Sequence, residues 1–216
     1  MEFNSINIKI GAVISFGSYN WHVLDVKSDK ALLITENIIE KRKYCNEYKT
    51  TWETCNLRNY LNTDFLQNFT EEQQNKIEDT LLINRDNPWY GTDGGIGTRD
   101  KIFLLSLEEV IKYFGDSGQL KNRFSNDIDC INDQYNSKRI AKHDNVAYWW
   151  WLRTPGEDAG SAVGVSYDGI IYVYGYGVSC ATAYNPAWEH QIAMIYAGEN
   201  NGGVRPALWL KLYLCK

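Results

Sequence analysis

Tyr148-Trp149-Trp150-Trp151-Leu152-Arg153-Thr154-Pro155-Gly156 and Gly202-Gly203-Val204-Arg205-Pro206-Ala207-Leu208-Trp209-Leu210 bracket the last third of the chain. Both are aromatic or apolar, and both carry an arginine close to a proline. The tract between them is rich in Tyr, Gly, Ser, Ala and Asn, the residue vocabulary of an antibody paratope rather than of a core or a catalytic site. The contrast predicts a fixed frame that displays an adaptable surface. Trp149, Trp150 and Trp151 beside Leu152 belong to the core and frame by the burial habits of such side chains. The planar forks of Arg153 and Arg205 suit backbone carbonyls or a carboxylate.

Working outward, Val163, Val165 and Tyr167 fall on one strand face, and Asp168-Gly169 reads as a two-residue hairpin turn. On the returning strand, from Ile171 to Val178, Tyr172, Tyr174 and Tyr176 share one face and Ile171 and Val173 the other, because side chains alternate along a strand. This ladder, with Tyr167, is the first candidate ligand-binding surface; Tyr184, Trp188, His190 and Tyr196 extend it. Tyrosine offers a large rigid contact area, a hydroxyl and little rotamer entropy to lose. The alternative is that the ladder consists of ordinary half-buried strand residues. Val204 to Leu212 reads as a last strand.

The first half predicts a different mix. Residues 10–26 form a hairpin around Gly17-Ser18-Tyr19-Asn20, and Lys30 to Thr35 adds a third strand. Three reciprocal capping pairs, Thr50 with Glu53, Thr70 with Gln73 and Ser106 with Glu109, announce three helices. The first places Trp52, Cys55, Leu57 and Leu61 on one side and ends near Asn62. The third buries Leu107, Val110, Ile111 and Phe114 and stops at Gly115. Glu53 is read as a capping residue, with a pairing to Arg58 as the alternative. Residues 84–97, with Pro88 and four glycines, make a long loop; Ile102-Phe103-Leu104-Leu105 is a short buried strand, and residues 122–145 a polar surface excursion. The fold class is α+β, as one domain over residues 1–216.

Composition narrows the function classes. A net charge of -5 without a basic run argues against nucleic acid held through its phosphates. No apolar run approaches membrane-spanning length, and no secretory signal opens the chain. Five widely spaced cysteines suit reduced thiols better than a disulfide framework, so cytoplasmic synthesis is expected, with association to a virion as a destination. His22, His143 and His190 show no metal spacing, and no cysteine stands near them in a zinc pattern. Asp127, Asp129 and Asp133 invite a calcium reading, but Cys130 and Ile131 interrupt the loop spacing, and a solvated acidic loop is preferred. Cys180 is read as a small buried apolar residue in preference to a reactive thiol. No catalytic residue, cofactor or metal is implied.

Four ordered segments carry a resemblance over nearly the whole chain: Thr51-Trp52-Glu53-Thr54-Cys55-Asn56-Leu57-Arg58-Asn59-Tyr60-Leu61-Asn62, Asp100-Lys101-Ile102-Phe103-Leu104-Leu105-Ser106, Trp150-Trp151-Leu152-Arg153-Thr154-Pro155-Gly156 and Gly203-Val204-Arg205-Pro206-Ala207-Leu208. They resemble an uncharacterised bacterial domain family with a C-type lectin-like fold, in the branch of the formylglycine-generating enzymes and the variable proteins of diversity-generating retroelements. The resemblance implies a non-enzymatic binding protein, with residues 148–210 as its diversified region and structural roles for Trp52, Trp150, Trp151, Arg153, Arg205 and Trp209. Diversification acts on adenines, typically in Asn codons, so Trp188, Glu189, Gln191 and Met194 would be fixed scaffold or an insertion. The implied partner is a protein or cell-surface ligand. A formylglycine-generating-type oxidoreductase and an interaction domain of a phage or larger assembly are the alternatives, and oligomerisation is compatible with all three.

Overall fold

The computed structural model describes residues 8–123, 130–179 and 201–212. Strands β1 (Val13–Phe16), β2 (Tyr19–Val26) and β3 (Lys30–Thr35) form an antiparallel meander. Its first turn is only Gly17-Ser18, so Tyr19 and Asn20 already belong to a strand. Then come β4 (Glu40–Arg42), α1 (Asn56–Asn62), α2 (Glu71–Lys76), the hairpin of β5 (Thr80–Leu82) and β6 (Thr98–Asp100), and α3 (Leu107–Phe114). The remainder is β7 (Cys130–Ile131), α4 (Asn136–Arg139), β8 (Ala141–His143), β9 (Val146–Tyr148), β10 (Trp150–Pro155), β11 (Ser161–Val165), β12 (Ile171–Gly177), β13 (Gly202–Val204) and β14 (Ala207–Lys211). The class is mixed α+β with mostly strands and few helices.

Two of the three capping pairs form as reciprocal boxes, Thr70 with Gln73 and Ser106 with Glu109. The third does not. Helix α1 is capped by Cys55, whose sulfur accepts the Arg58 N–H, while the Thr50 hydroxyl bonds to the Thr51 carbonyl and lies 3.1 Å from the Thr54 hydroxyl. Trp52 therefore sits in the turn before the helix. It is nevertheless buried with Cys55, Leu57 and Leu61. Arg58 pairs not with the Glu53 carboxylate but with Asp100 at 2.6 Å, and it takes only the Glu53 carbonyl. Helix α3 buries the four expected side chains and stops at Gly115, where φ is 131°. Residues 102–105 are fully buried, yet they contribute one isolated bridge, Phe103 to Ala207, instead of a strand.

The expected last strand is two strands in different sheets. One sheet runs β1-β2-β3-β14; the other runs β4-β13-β10-β11-β12-β7. Because β14 pairs with β3 and β13 pairs with β4, both antiparallel, two lengths of chain cross together from one sheet to the other. Arg205-Pro206 marks the crossing, where proline cannot donate to a ladder. The buried Arg205 guanidinium donates to the carbonyl of Thr35 at 3.0 Å and to that of Glu36 at 3.4 Å. It lies 5.0 Å from the ring centre of Trp150 and 5.5 Å from that of Phe114. Burial pulls its pKa down to about 10. The same junction is closed by the Thr35 N–H on Pro206 and the Ile39 N–H on Val204.

The stretch read as a polar surface excursion is partly interior. Ile131 and Arg139 are fully buried, and Nη2 of Arg139 lies 2.8 and 2.9 Å from the two carboxylate oxygens of Asp133. Asp133 is thus an internal counter-ion and not a solvated loop acid. Asp127 and Asp129 lie outside the described residues. The Arg139 carbonyl in turn accepts the Trp150 indole N–H at 3.0 Å, so this ion pair supports the tryptophan beneath Arg205.

Burial acts to raise the Asp133 pKa, but hydrogen bonds from Arg139, the Ser117 hydroxyl and the Tyr135 N–H outweigh it and leave it lowered. The folded value lies below the unfolded one, so this stabilisation is complete above the unfolded carboxylate pKa of about 3.9 and is lost as pH falls through the folded value. Asp133→Asn leaves Arg139 buried without its counter-charge and is expected to cost about 3–5 kcal/mol in urea unfolding at pH 7. The difference from wild type should shrink below about pH 4. A cost under about 1 kcal/mol at pH 7 would contradict this assignment.

Candidate functional site

The tyrosines of β12 rest on an aromatic floor. Tyr176 stacks on Trp149 with ring centres 4.2 Å apart and planes 16° from parallel. Trp149 meets Trp151 edge-on at 4.6 Å, and Trp151 meets Tyr44 at 5.3 Å. Two of these rings are tied into the frame by their polar atoms: the Trp151 indole donates to the Arg42 carbonyl at 2.9 Å, and the Tyr44 hydroxyl to the Arg153 carbonyl at 3.2 Å. Above this floor, Tyr172 lies 5.7 Å from Tyr176 and 5.4 Å from Tyr174.

The ladder is therefore graded. Tyr176 is 7% exposed and joins the core, a correction to its expected place on the ligand-binding surface. The cause is in the neighbouring strand. Gly164 offers no Cβ, and one built there would sit 2.6 Å from the Tyr176 ring, so the ring covers that gap. Gly175, at φ 90°, widens the spacing: Gly164 pairs with Tyr172 and Ala162 with Tyr176, a register shift in β12 that an L side chain would resist. Tyr172 and Tyr174 stay partly buried, the Tyr174 hydroxyl fully so. Burial, followed by the neighbouring Asp168, raises the Tyr172 hydroxyl pKa, so it remains a neutral donor.

Tyr167 is 50% exposed, but it belongs to the turn and not to the face of Val163 and Val165. The Ser166 N–H bonds to Ile170 and the Gly169 N–H to Ser166, which makes a three-residue loop of Tyr167, Asp168 and Gly169 where a two-residue turn was expected. Tyr184, Trp188, His190 and Tyr196 lie outside the described residues, as do Cys180 and Cys215.

The frame residues hold by bonds that local sequence does not announce. Arg153 donates to the Leu104 carbonyl and to the Glu109 carboxylate, which joins β10 to the start of α3. The Trp52 indole and the Thr98 hydroxyl both donate to Asp100 Oδ2, at 2.9 and 2.8 Å, and Arg58 takes Oδ1. Trp209 is 9% exposed, with Lys27 4.7 Å from its ring centre. Asn87 was missed entirely. Its buried amide donates to the carbonyls of Pro155, Gly156 and Val173 and accepts from the N–H groups of Trp89 and Tyr90, fixing the 84–97 loop against β12 just before Tyr174. The only local signal was an Asn before Pro88, a usual turn opener.

Among the described residues no group of three or more His, Cys, Asp or Glu is placed to hold a metal ion. Cys45 and Cys55 are buried, and burial pushes the Cys55 thiol up to about 12, far from the thiolate a nucleophile needs. Among the described residues no helix is long and apolar enough to cross a membrane.

Residues 28–212 match the family model described as "Domain of unknown function (DUF6273)", and the chain belongs to that family. No curated protein and no solved structure matches the chain.

Tyr176→Ala is expected to destabilise by about 3–5 kcal/mol, because it empties the space over Gly164 and Trp149. Tyr174→Ala should cost less, about 1–2 kcal/mol, since its side chain is only partly buried. Chemical denaturation of the two variants tests the grading. Equal losses would contradict it.

Proposed function

We propose that this chain is a non-enzymatic ligand-binding domain with a C-type lectin-like fold, and that Tyr172, Tyr174 and Tyr167 contact a protein or cell-surface ligand. One observation carries the reading: two partly exposed tyrosines are held at 5.4 Å from one another beside a buried Tyr176–Trp149–Trp151 cluster. Anchors fixed before contact lose little side-chain entropy on binding, which is where preorganised paratopes gain affinity. Aromatic residues also dominate the energetic centre of interfaces. Tyr184, Trp188, His190 and Tyr196 belong to this proposal through their place between β12 and β13, strands that β10 and β11 separate in the sheet.

On this reading the segment between the two brackets is diversified by a retroelement, and the protein meets its ligand on a cell surface or as part of a virion. Two experiments bear on it. Sequencing the flanking DNA should find a reverse transcriptase and a near-copy of the 151–210 coding segment that differs at adenines; without both, diversification falls. Capture on arrays of cell-surface proteins and glycans should be lost in Tyr172→Ala/Tyr174→Ala although the variant stays folded, with a melting temperature lowered by only about 5–10 °C. Retained capture by that double variant would defeat the proposed contact surface.

A further inference from the structure

The hairpin of β5 and β6 forms a two-stranded sheet of its own, tied to β14 at its base by the Ile77–Leu210 and Phe103–Ala207 bridges, and β5 pairs with no strand except β6 among the described residues. Its exposure alternates residue by residue. Asp79, Leu81, Ile83 and Arg85 are exposed, while Leu82 between them is buried. Leu81 and Ile83 are 63% and 66% exposed, unusual for two apolar side chains side by side on one face. Apart from its shortness, Thr80-Leu81-Leu82 carries none of the devices that protect an open strand edge, a lysine, a proline or a bulge. Beside the strand lies an open groove of about 550 Å³, lined by Leu81, Ile83 and Arg85 together with Lys27, Glu108 and Trp209 among others. The edge thus faces space that can admit another extended chain.

The order of the exposed residues says which chain. Read along β5 they run acid, apolar, apolar, base. Set antiparallel to itself about Leu82, the strand brings Asp79 opposite Arg85 of a second copy and Leu81 opposite Ile83 of that copy, and each contact occurs twice. Side chains directly opposite one another on paired strands touch, and opposite charges there are favourable. Arg85 has no ion-pair partner among the described residues, and Asp79 reaches Arg99 only at 3.9 Å with both side chains largely exposed. A self-complementary strip of this kind is what a two-fold interface requires, since one patch must recognise itself.

We propose that β5 is a self-association edge: two copies of this chain pair β5 to β5 antiparallel, forming a continuous sheet in the order β6-β5-β5-β6. The interface is small, so the dimer is weak, with a dissociation constant on the order of 10–100 µM. This inference is independent of the tyrosine surface.

The test is sedimentation or light scattering on the full chain over a concentration series up to about 0.5 mM. Wild type should pass from monomer to dimer. Asp79→Arg and Arg85→Asp each place like charges opposite one another twice per dimer, so each variant alone should associate at least about tenfold more weakly. Mixed in equal amounts, the two should dimerise as wild type does, because every 79–85 contact between unlike chains then joins opposite charges. Recovery on mixing also shows that both variants are folded. A wild type that stays monomeric throughout the series overturns the proposal and leaves the edge to a different partner. So does a wild-type dimer that neither substitution weakens, or a mixture that fails to recover.

Discussion

The architecture turns on a buried cation at the place where the chain changes sheets. Two antiparallel lengths, β3 into β4 and β13 into β14, pass from one sheet to the other, and neither keeps a regular ladder through the bend. Backbone carbonyls at such a break must find donors, since leaving them buried and unpaired costs as much as a lost hydrogen bond. Arg205 supplies those donors to Thr35 and Glu36 and spreads its charge over the rings of Trp150 and Phe114. The depressed pKa shows that this site charges a desolvation cost. The carbonyl bonds and ring faces offset it, and a guanidinium is suited to the task because it is planar and weakly hydrated.

From that point support passes outward in steps. Trp150 lies against Arg205 on one side and hydrogen bonds to Arg139 on another, and Arg139 is neutralised by Asp133. The neighbours of Trp150 in the chain, Trp149 and Trp151, face the opposite side of the strand and make the floor under Tyr176. Tyr172 and Tyr174 inherit their positions from that floor. The side of the sheet that faces the core and the side that carries the proposed contact surface are therefore built from three consecutive tryptophans, and a disturbance at the crossing has a short route to the tyrosines.

Local rules located much of this. The capping pairs at Thr70 and Ser106, the meander of β1 to β3, the stop at Gly115 and the core placement of the tryptophans all follow from contacts within a few residues or from burial habit. The misses share a different cause. Cys55 outcompeted Thr50 as a cap because Trp52 is drawn to Asp100, 48 positions away. Asp133 and Arg139 looked solvated until the chain enclosed them together. Tyr176 looked equivalent to Tyr172 and Tyr174 because alternation assigns faces, but it cannot know that Gly164 on the next strand leaves a gap that one ring fills. Asn87 bonds to Val173 across 86 positions, and no window of sequence contains that partnership. The break at Arg205-Pro206 was visible as residues, while its meaning, a change of sheet, depended on β3 and β4.

Amide hydrogen exchange on Arg205→Met tests the central claim most directly, because methionine keeps the stem's bulk and removes the donors. The account predicts selective loss of protection at Thr35 and Ile39, whose N–H groups close the crossing, with a drop in global stability of about 2–4 kcal/mol. Unchanged protection at those two amides, with stability within about 0.5 kcal/mol of wild type, would contradict it.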